Sequence, residues 1–353
     1  MNILIIGNGF DLANGLPTKY SNYLRLCKIL RSSMGQFALQ SSLSYGENQE
    51  DKDLHSDFCR KVQRDYYDEF YKIVKDNLFI SHFLERESVI GENWMNFEEE
   101  IERLIELLIS EMHEAKDERY RTSSLRPLKD YLRSPRAEGI STYKDLFLSI
   151  RKEHSGLVRS LEIYMDGYVN KCDCKKINEI KKGVYDHVLS FNYTDTYGEK
   201  YEPEIGCCYI HGYANLDRKN PCNMVLGFDD RYKNHDLTEI EAIPYEKFFQ
   251  RLDLGTSNEY LKWIDDMKDS EKNTVDIYGH SLAQADADIL KKFILLDNTQ
   301  VRVFYYSDLD RYEKMRNTTL ILGSELTVEL VGGNNPRFSF IPMNEYSAPR
   351  TCK

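Results

Sequence analysis

The sequence predicts an α/β protein, a mostly parallel sheet flanked by helices and interrupted by a large helical insertion. Three observations predict it. The chain opens on Asn2-Ile3-Leu4-Ile5-Ile6, an apolar run of strand length stopped by Gly7, as expected of a strand buried on both faces. After a first helix from about Lys19 and the stretch Ser32 to Asp53, helical periodicity dominates to about residue 182. After Gly183, short runs rich in Val, Ile, Tyr and Phe alternate with helical stretches, the pattern of strands joined by covering helices. One domain is therefore expected from 1–32 plus 183–353, with a helical insertion or cap at 54–182.

Each element has its own signal. The first strand runs into a Gly-rich turn and then a helix from about Lys19. Ser32 to Asp53 is rich in Ser, Gln and Glu and reads as a loop. Phe58, Val62, Tyr66, Phe70, Val74 and Leu78 recur every four residues and predict one apolar helix face over 58–78. A second helix is expected over 97–112, where Asn96 and Glu99 resemble a capping box. The stretch 114–136 is dense in charge and carries Pro127 and Pro135, which fits a linker or a broken helix. Strands are expected at 184–191, 207–211, 223–228, 274–278 and 300–306, and helices near 238–252, 257–269, 285–296 and 308–317.

Composition narrows the function. The chain's 353 residues are enough to bury a core without disulfides or metal. Lys and Arg number 47 against 58 Asp and Glu, a net charge of −11, which disfavours general binding to nucleic acid or to a membrane surface, both polyanions. It does not disfavour a small anionic ligand in one pocket. No run approaches the ~18 apolar residues of a membrane span, and no signal peptide is visible at the N-terminus, so a cytoplasmic protein is expected. Eight Cys occur without a C-x-x-C pair. Cys172, Cys174, Cys207 and Cys208 are the nearest approach to a zinc set, but free thiols in a reducing compartment are the plainer reading. No metal is expected.

Three strand ends carry possible chemistry. Gly7-Asn8-Gly9-Phe10-Asp11 follows the first strand, where flexible backbone and free N–H groups suit a phosphate. The third Gly of the dinucleotide fingerprint is missing, since position 12 is Leu, so an ordinary dehydrogenase is excluded. A nucleotide-binding turn of another design and a ligand-free tight turn both remain. Ser190-Phe191-Asn192-Tyr193-Thr194 ends the 184–191 strand; Asn192 both donates and accepts, which suits a ribose hydroxyl or an attacking water. Taken alone, an Asn-Tyr turn capping the strand is the plainer reading. Ile210-His211-Gly212 offers the side chain best matched to proton transfer at neutral pH, though a lone His is often structural.

A further strand end, Gly279-His280-Ser281-Leu282-Ala283, resembles a nucleophile elbow. That reading needs a His later in the chain, and none follows His280. Ser281, Asp286 and Asp288 are left at a helix start, placed to bind hydroxyls or phosphate.

Together these segments resemble the AbiH family of phage abortive-infection proteins. The resemblance rests on residues 5–12 with Gly15-Leu16-Pro17-Thr18, Trp94 with Phe97-Glu98, Ser190 to Thr194, Ile210-His211-Gly212, Leu226-Gly227, and Gly279 to Leu282 with Asp286. More distantly the set is similar to the sirtuin-like NAD-binding fold, a Rossmann-like architecture. Position 18 onward lacks the Asp-Phe-Arg of protein deacylases, and the zinc pairs are absent, which leaves NAD cleavage as the implied activity.

The resemblance implies His211 as base and Asn192 as the group positioning ribose or water. It implies Gly7, Asn8, Gly9, Phe10 and Asp11, with Tyr193, around the pyrophosphate and nicotinamide, and Gly279, Ser281 and Asp286 on the adenosine side. NAD enters as substrate. The implied partners are NAD or a related nucleotide, a second copy of the chain or another defence component, and a phage-derived trigger. The competing expectation is a non-catalytic NAD-sensing or scaffolding module; a nuclease is disfavoured by charge.

Overall fold

The computed structural model describes residues 1–32, 48–90, 94–114, 126–217, 222–228, 240–256 and 258–343. Most of the loop expected at 32–53, and the first half of the stretch 114–136, lie outside the described residues. So do Cys352 and the side chain of Trp94. The second half of 114–136 holds a short helix, Arg126–Arg133.

In chain order, β1 (Asn2–Ile6) leads into the short α1 (Asn8–Ala13). A helical series follows: α2 (Tyr20–Ser32), α3 (Gln49–Lys61), α4 (Arg64–Asp76), α5 (Leu78–Glu85), α6 (Glu87–Ile90), α7 (Trp94–Glu114), α8 (Arg126–Arg133) and α9 (Tyr143–Glu162). Then come β2 (His187–Ser190), α10 (Thr196–Lys200), β3 (Cys207–Tyr209), α11 (Lys247–Leu254), α12 (Tyr260–Asp269) and β4 (Asn273–Tyr278). The chain continues through α13 (Ala287–Ile294), β5 (Thr299–Tyr305), α14 (Asp308–Leu322), α15 (Ser324–Gly332) and β6 (Phe338–Pro342).

Two compact units result, one of Met1–Thr18, Cys172–Tyr213 and Leu254–Lys353, the other of Lys19–Lys171 and Ala214–Asp253. The second unit thus holds 19–32 and 214–253, which the sequence analysis places with the sheet.

In the first unit six parallel strands form one open sheet in the order β3-β2-β1-β4-β5-β6. The apolar run of β1 sits at its centre, with Ile3, Leu4 and Ile5 fully buried. Strand alternation sends Ile3 and Ile5 to one face and Leu4 and Ile6 to the other. The first pair joins Leu189, Val275, Ile277, Val301 and Val303 under Trp263 and Met267 of α12 and Leu290 and Phe293 of α13. The second pair joins Val188 and Tyr278 under Phe10, Tyr197 and Tyr201.

A carboxylate is buried within the sheet. Asp276, 1 % exposed in β4, accepts two bonds from Arg302 (2.6 and 2.7 Å) and one from the Tyr185 hydroxyl (2.7 Å). A buried carboxylate needs such partners to offset its lost hydration.

The second unit is helical and packed with aromatic rings. Tyr20 stacks on Phe97 with centroids 3.9 Å apart, and Phe83 meets both edge-on. Asn48 and Asn77 cap α3 and α5, and a capping box of Thr142 and Asp145 starts α9. Among the described residues no helix is long and apolar enough to cross a membrane.

Several expected elements differ. The single helix over 58–78 is divided among α3, α4 and α5, because Val62 and Gln63, and then Asn77, are extended. A four-residue repeat outruns the 3.6-residue turn by about 40° each step, so six such residues on one helix would spiral halfway round it. The first break restores a common side, and Phe58 packs on Phe70 across it at 5.1 Å. The helix expected at 97–112 begins earlier, at Trp94, so Asn96 lies inside it and is not its cap. Residues 223–228 form no strand and make one isolated bridge, Phe228 to Glu246. The sheet's last strand is instead β6, and its terminal Pro342 is tolerated because β6 is an edge.

Candidate functional site

Parallel pairing brings the strand-end segments together. Ile6 pairs with Ser190 on one side and with Tyr278 on the other, and Ser190 pairs with Tyr209. The residues just beyond those positions therefore share one rim of the sheet. Backbone bonds fix this level: Phe191 N–H donates to Ile6 O (3.0 Å), Ile210 N–H to Ser190 O (2.9 Å) and Gly7 N–H to Tyr278 O (3.2 Å). The chain first adds strands on one side of β1, then crosses to add β4 on the other. Ligand crevices of open α/β sheets form at such a reversal, outside the carboxyl ends.

The glycine turn after β1 is built for close approach. A Cβ on Gly7 would lie 2.7 Å from His280 Cα, and one on Gly9 the same distance from Gly279 Cα. Gly279 itself has φ +67, and its Cβ would fall 2.0 Å from Phe10 N. The two turns interlock backbone to backbone, and the N–H groups are spent doing so. Gly9 N–H donates to Gly279 O (2.7 Å) and Phe10 N–H to Gly7 O (2.8 Å). The free donors expected for a phosphate at Gly7, Gly9 and Phe10 are thus already committed within the protein, which corrects that part of the sequence reading.

Phe10 is likewise core. It is fully buried between Tyr197, Tyr201 and Tyr278, with centroids 5.4–6.3 Å away. Asn8 and Tyr193 also belong to this rim, Asn8 half-buried and Tyr193 buried.

Asp11 points inward. Thr194 Oγ1 donates to its Oδ2 at 2.6 Å, and its Oδ1 is buried without a hydrogen-bond partner. Removal from water pushes its carboxyl up to about 7, against the hydrogen bond from Thr194 that pulls it down. Next to it in space, Asn192 is 5 % exposed. Its backbone N–H donates to Ser190 Oγ (3.2 Å); its side-chain amide lies against the Asp11 carboxyl and helps to hold it down, but both amide atoms are buried with no partner within 3.5 Å. A buried amide left so costs on the order of 1–3 kcal/mol per group, and such a group asks for an explanation.

At the same rim, the histidines that follow β3 and β4 meet one carboxylate. His211 Nε2 is 3.1 Å from Asp286 Oδ1, and His280 Nε2 is 3.3 Å from Oδ2. All three are buried. Phe191 presses edge-on against both rings, at 5.5 Å for His211 and 4.4 Å for His280. Gly212, with φ +66, turns the chain directly after His211.

The carboxylate of Asp286, expected at an adenosine ribose, is thus engaged by the two imidazoles. Sequence reasoning missed this pairing, although a His six residues before an Asp at a helix start was its visible trace. Ser281 is exposed, and its carbonyl accepts from Asn317 Nδ2 at 2.8 Å.

The described residues hold no group of three or more His, Cys, Asp or Glu able to bind a metal ion, and the seven described cysteines are free thiols. What the rim offers is a histidine oriented by a carboxylate, the base-and-orienter pair of acid–base catalysis, and one unsatisfied amide at the same level on the adjacent strand.

A family model described as bacteriophage abortive infection AbiH matches residues 3–307. Searches of curated proteins and of solved structures return no match.

Proposed function

The chain belongs to the AbiH family of bacteriophage abortive-infection proteins, and on that premise we propose that it hydrolyses NAD+ to nicotinamide and ADP-ribose. The observation that carries this reading is the Asn192 amide, buried beside Asp11 with no partner within 3.5 Å and level with His211 on the neighbouring strand. An NAD ribose, or the water that attacks it, would supply the missing donor and acceptor.

The chemistry suits this inventory. Nicotinamide leaves a pyridinium as a neutral ring, so the leaving group needs no acid. The cost lies in the oxocarbenium-like ribose, as in glycoside hydrolysis. Asn192 would hold a ribose hydroxyl or the water by bonds that strengthen as charge develops. His211, steadied by Asp286, would take the proton of the water as its oxygen bonds to the anomeric carbon and the C–N bond breaks. That proton passes to solvent, and the products are ADP-ribose, nicotinamide and H+. The glycine turn, with its N–H groups spent, contributes shape at the pyrophosphate; Asn8 and Tyr193 border it, and Ser281 is left for the adenosine side.

The test is direct. Purified protein incubated with NAD+, alone and with phage lysate as trigger, should release nicotinamide and ADP-ribose in equal amounts. Binding of NAD+ without product in either condition would overturn hydrolysis and favour a sensing module.

A further inference from the structure

The second histidine of the cluster decides which nitrogen of the first can act as a base. The Leu282 N–H donates to His280 Nδ1 at 2.9 Å. A nitrogen that accepts a bond from a backbone amide carries no proton, so the ring proton of neutral His280 sits on Nε2. That nitrogen faces Asp286 Oδ2. Leu282 reaches the bonding position by adopting φ 57, a left-handed conformation uncommon for a bulky side chain. It is also fully buried. Strain of this kind persists where the surroundings over-determine it.

We propose that His280 is a positioning residue that holds Asp286 as a shared carboxylate and so fixes His211 as the Nε2–H tautomer, with Nδ1 as the basic nitrogen. With Oδ2 turned to His280, Oδ1 meets His211 Nε2 at 3.1 Å. A carboxylate accepts and does not donate, so the proton of that contact belongs to Nε2. The lone pair then lies on Nδ1, and this is the atom to which a water proton goes. Phe191 wedged against both rings keeps either from turning to exchange its nitrogens. The assignment of base atom rests on the NAD-hydrolase reading; the tautomer does not.

Nitrogen-15 NMR of imidazole-labelled full-length protein reads the tautomer directly, whether or not NAD+ is cleaved. Wild-type His211 is expected as Nε2–H, and His280→Leu should turn it into a mixture. His280→Gln, which keeps a donor toward Asp286, should restore Nε2–H. Where wild type releases nicotinamide, His280→Leu should lower kcat 10-fold or more with KM changed less than 3-fold, and His280→Gln should recover most of the loss. A His211 found as Nδ1–H in wild type overturns the proposal even if the leucine variant fails to fold. So does an Nε2–H signal unmoved in a folded His280→Leu. Absence of NAD+ turnover with the predicted tautomers would sink the hydrolase reading and leave the tautomer assignment standing.

Discussion

Asn192 and Asp11 are polar groups that the fold buries against its own stability. Replacing a polar side chain that lacks partners with an apolar one of similar shape is neutral or stabilising. Asn192→Leu should therefore raise the free energy of unfolding by about 1–3 kcal/mol while abolishing nicotinamide release; urea denaturation and a product assay on one preparation check both. A loss of stability would mean that the amide has a structural partner.

Asp11 titrates in the opposite sense from most carboxylates. Its folded pKa of about 7 lies above the ordinary 3.8, so between those values the native state binds a proton that the unfolded chain has released. Stability due to this group is present below pH 4 and is lost as pH rises through 7, on the order of 4 kcal/mol. His154 in the helical unit carries the contrary slope, since burial holds it down to about 4. The comparison that isolates Asp11 is therefore wild type against Asp11→Asn. The variant should gain stability relative to wild type as pH rises from 4 to 7, read as a widening difference in Tm.

At the scale of elements, the site depends on how closely two turns interlock. Gly9→Ala would place a methyl carbon 2.7 Å from Gly279 Cα, backbone that cannot move aside as a side-chain end would. Overpacking of this kind costs about 1–3 kcal/mol. It would also shift the β4 turn that carries His280. Lowered Tm with reduced nicotinamide release is expected, and an unchanged Tm would show that the turns part easily.

The same elements show what a sequence reveals and what it hides. β1, β2, β4 and β5 were legible because each is a short apolar run with a turn behind it. β6 was not: Phe338-Ser339-Phe340-Ile341-Pro342 alternates weakly and ends in a residue usually read as a breaker. The break at Val62 hid inside a repeat that looked helical throughout. The bond between the two glycine turns and the His211–Asp286 contact cannot be seen from spacing, because each joins segments far apart in sequence, the latter across 75 residues.

For the whole molecule, the candidate residues belong to the sheet unit, assembled from three stretches of chain. The helical unit takes the long excursion between β1 and β2 and a second one after β3. The strand order that results, 3-2-1-4-5-6, is that of dinucleotide-binding α/β folds. Order alone does not confer activity, so the proposed function depends on His211 and Asn192.

The account is tested most directly by the rate of nicotinamide release from NAD+ by wild type and His211→Ala, measured together with NAD+ binding. Wild type should turn over, and His211→Ala should lose roughly 10²–10⁴-fold in rate while still binding NAD+. Release by His211→Ala at the wild-type rate would place the chemistry elsewhere and contradict the account.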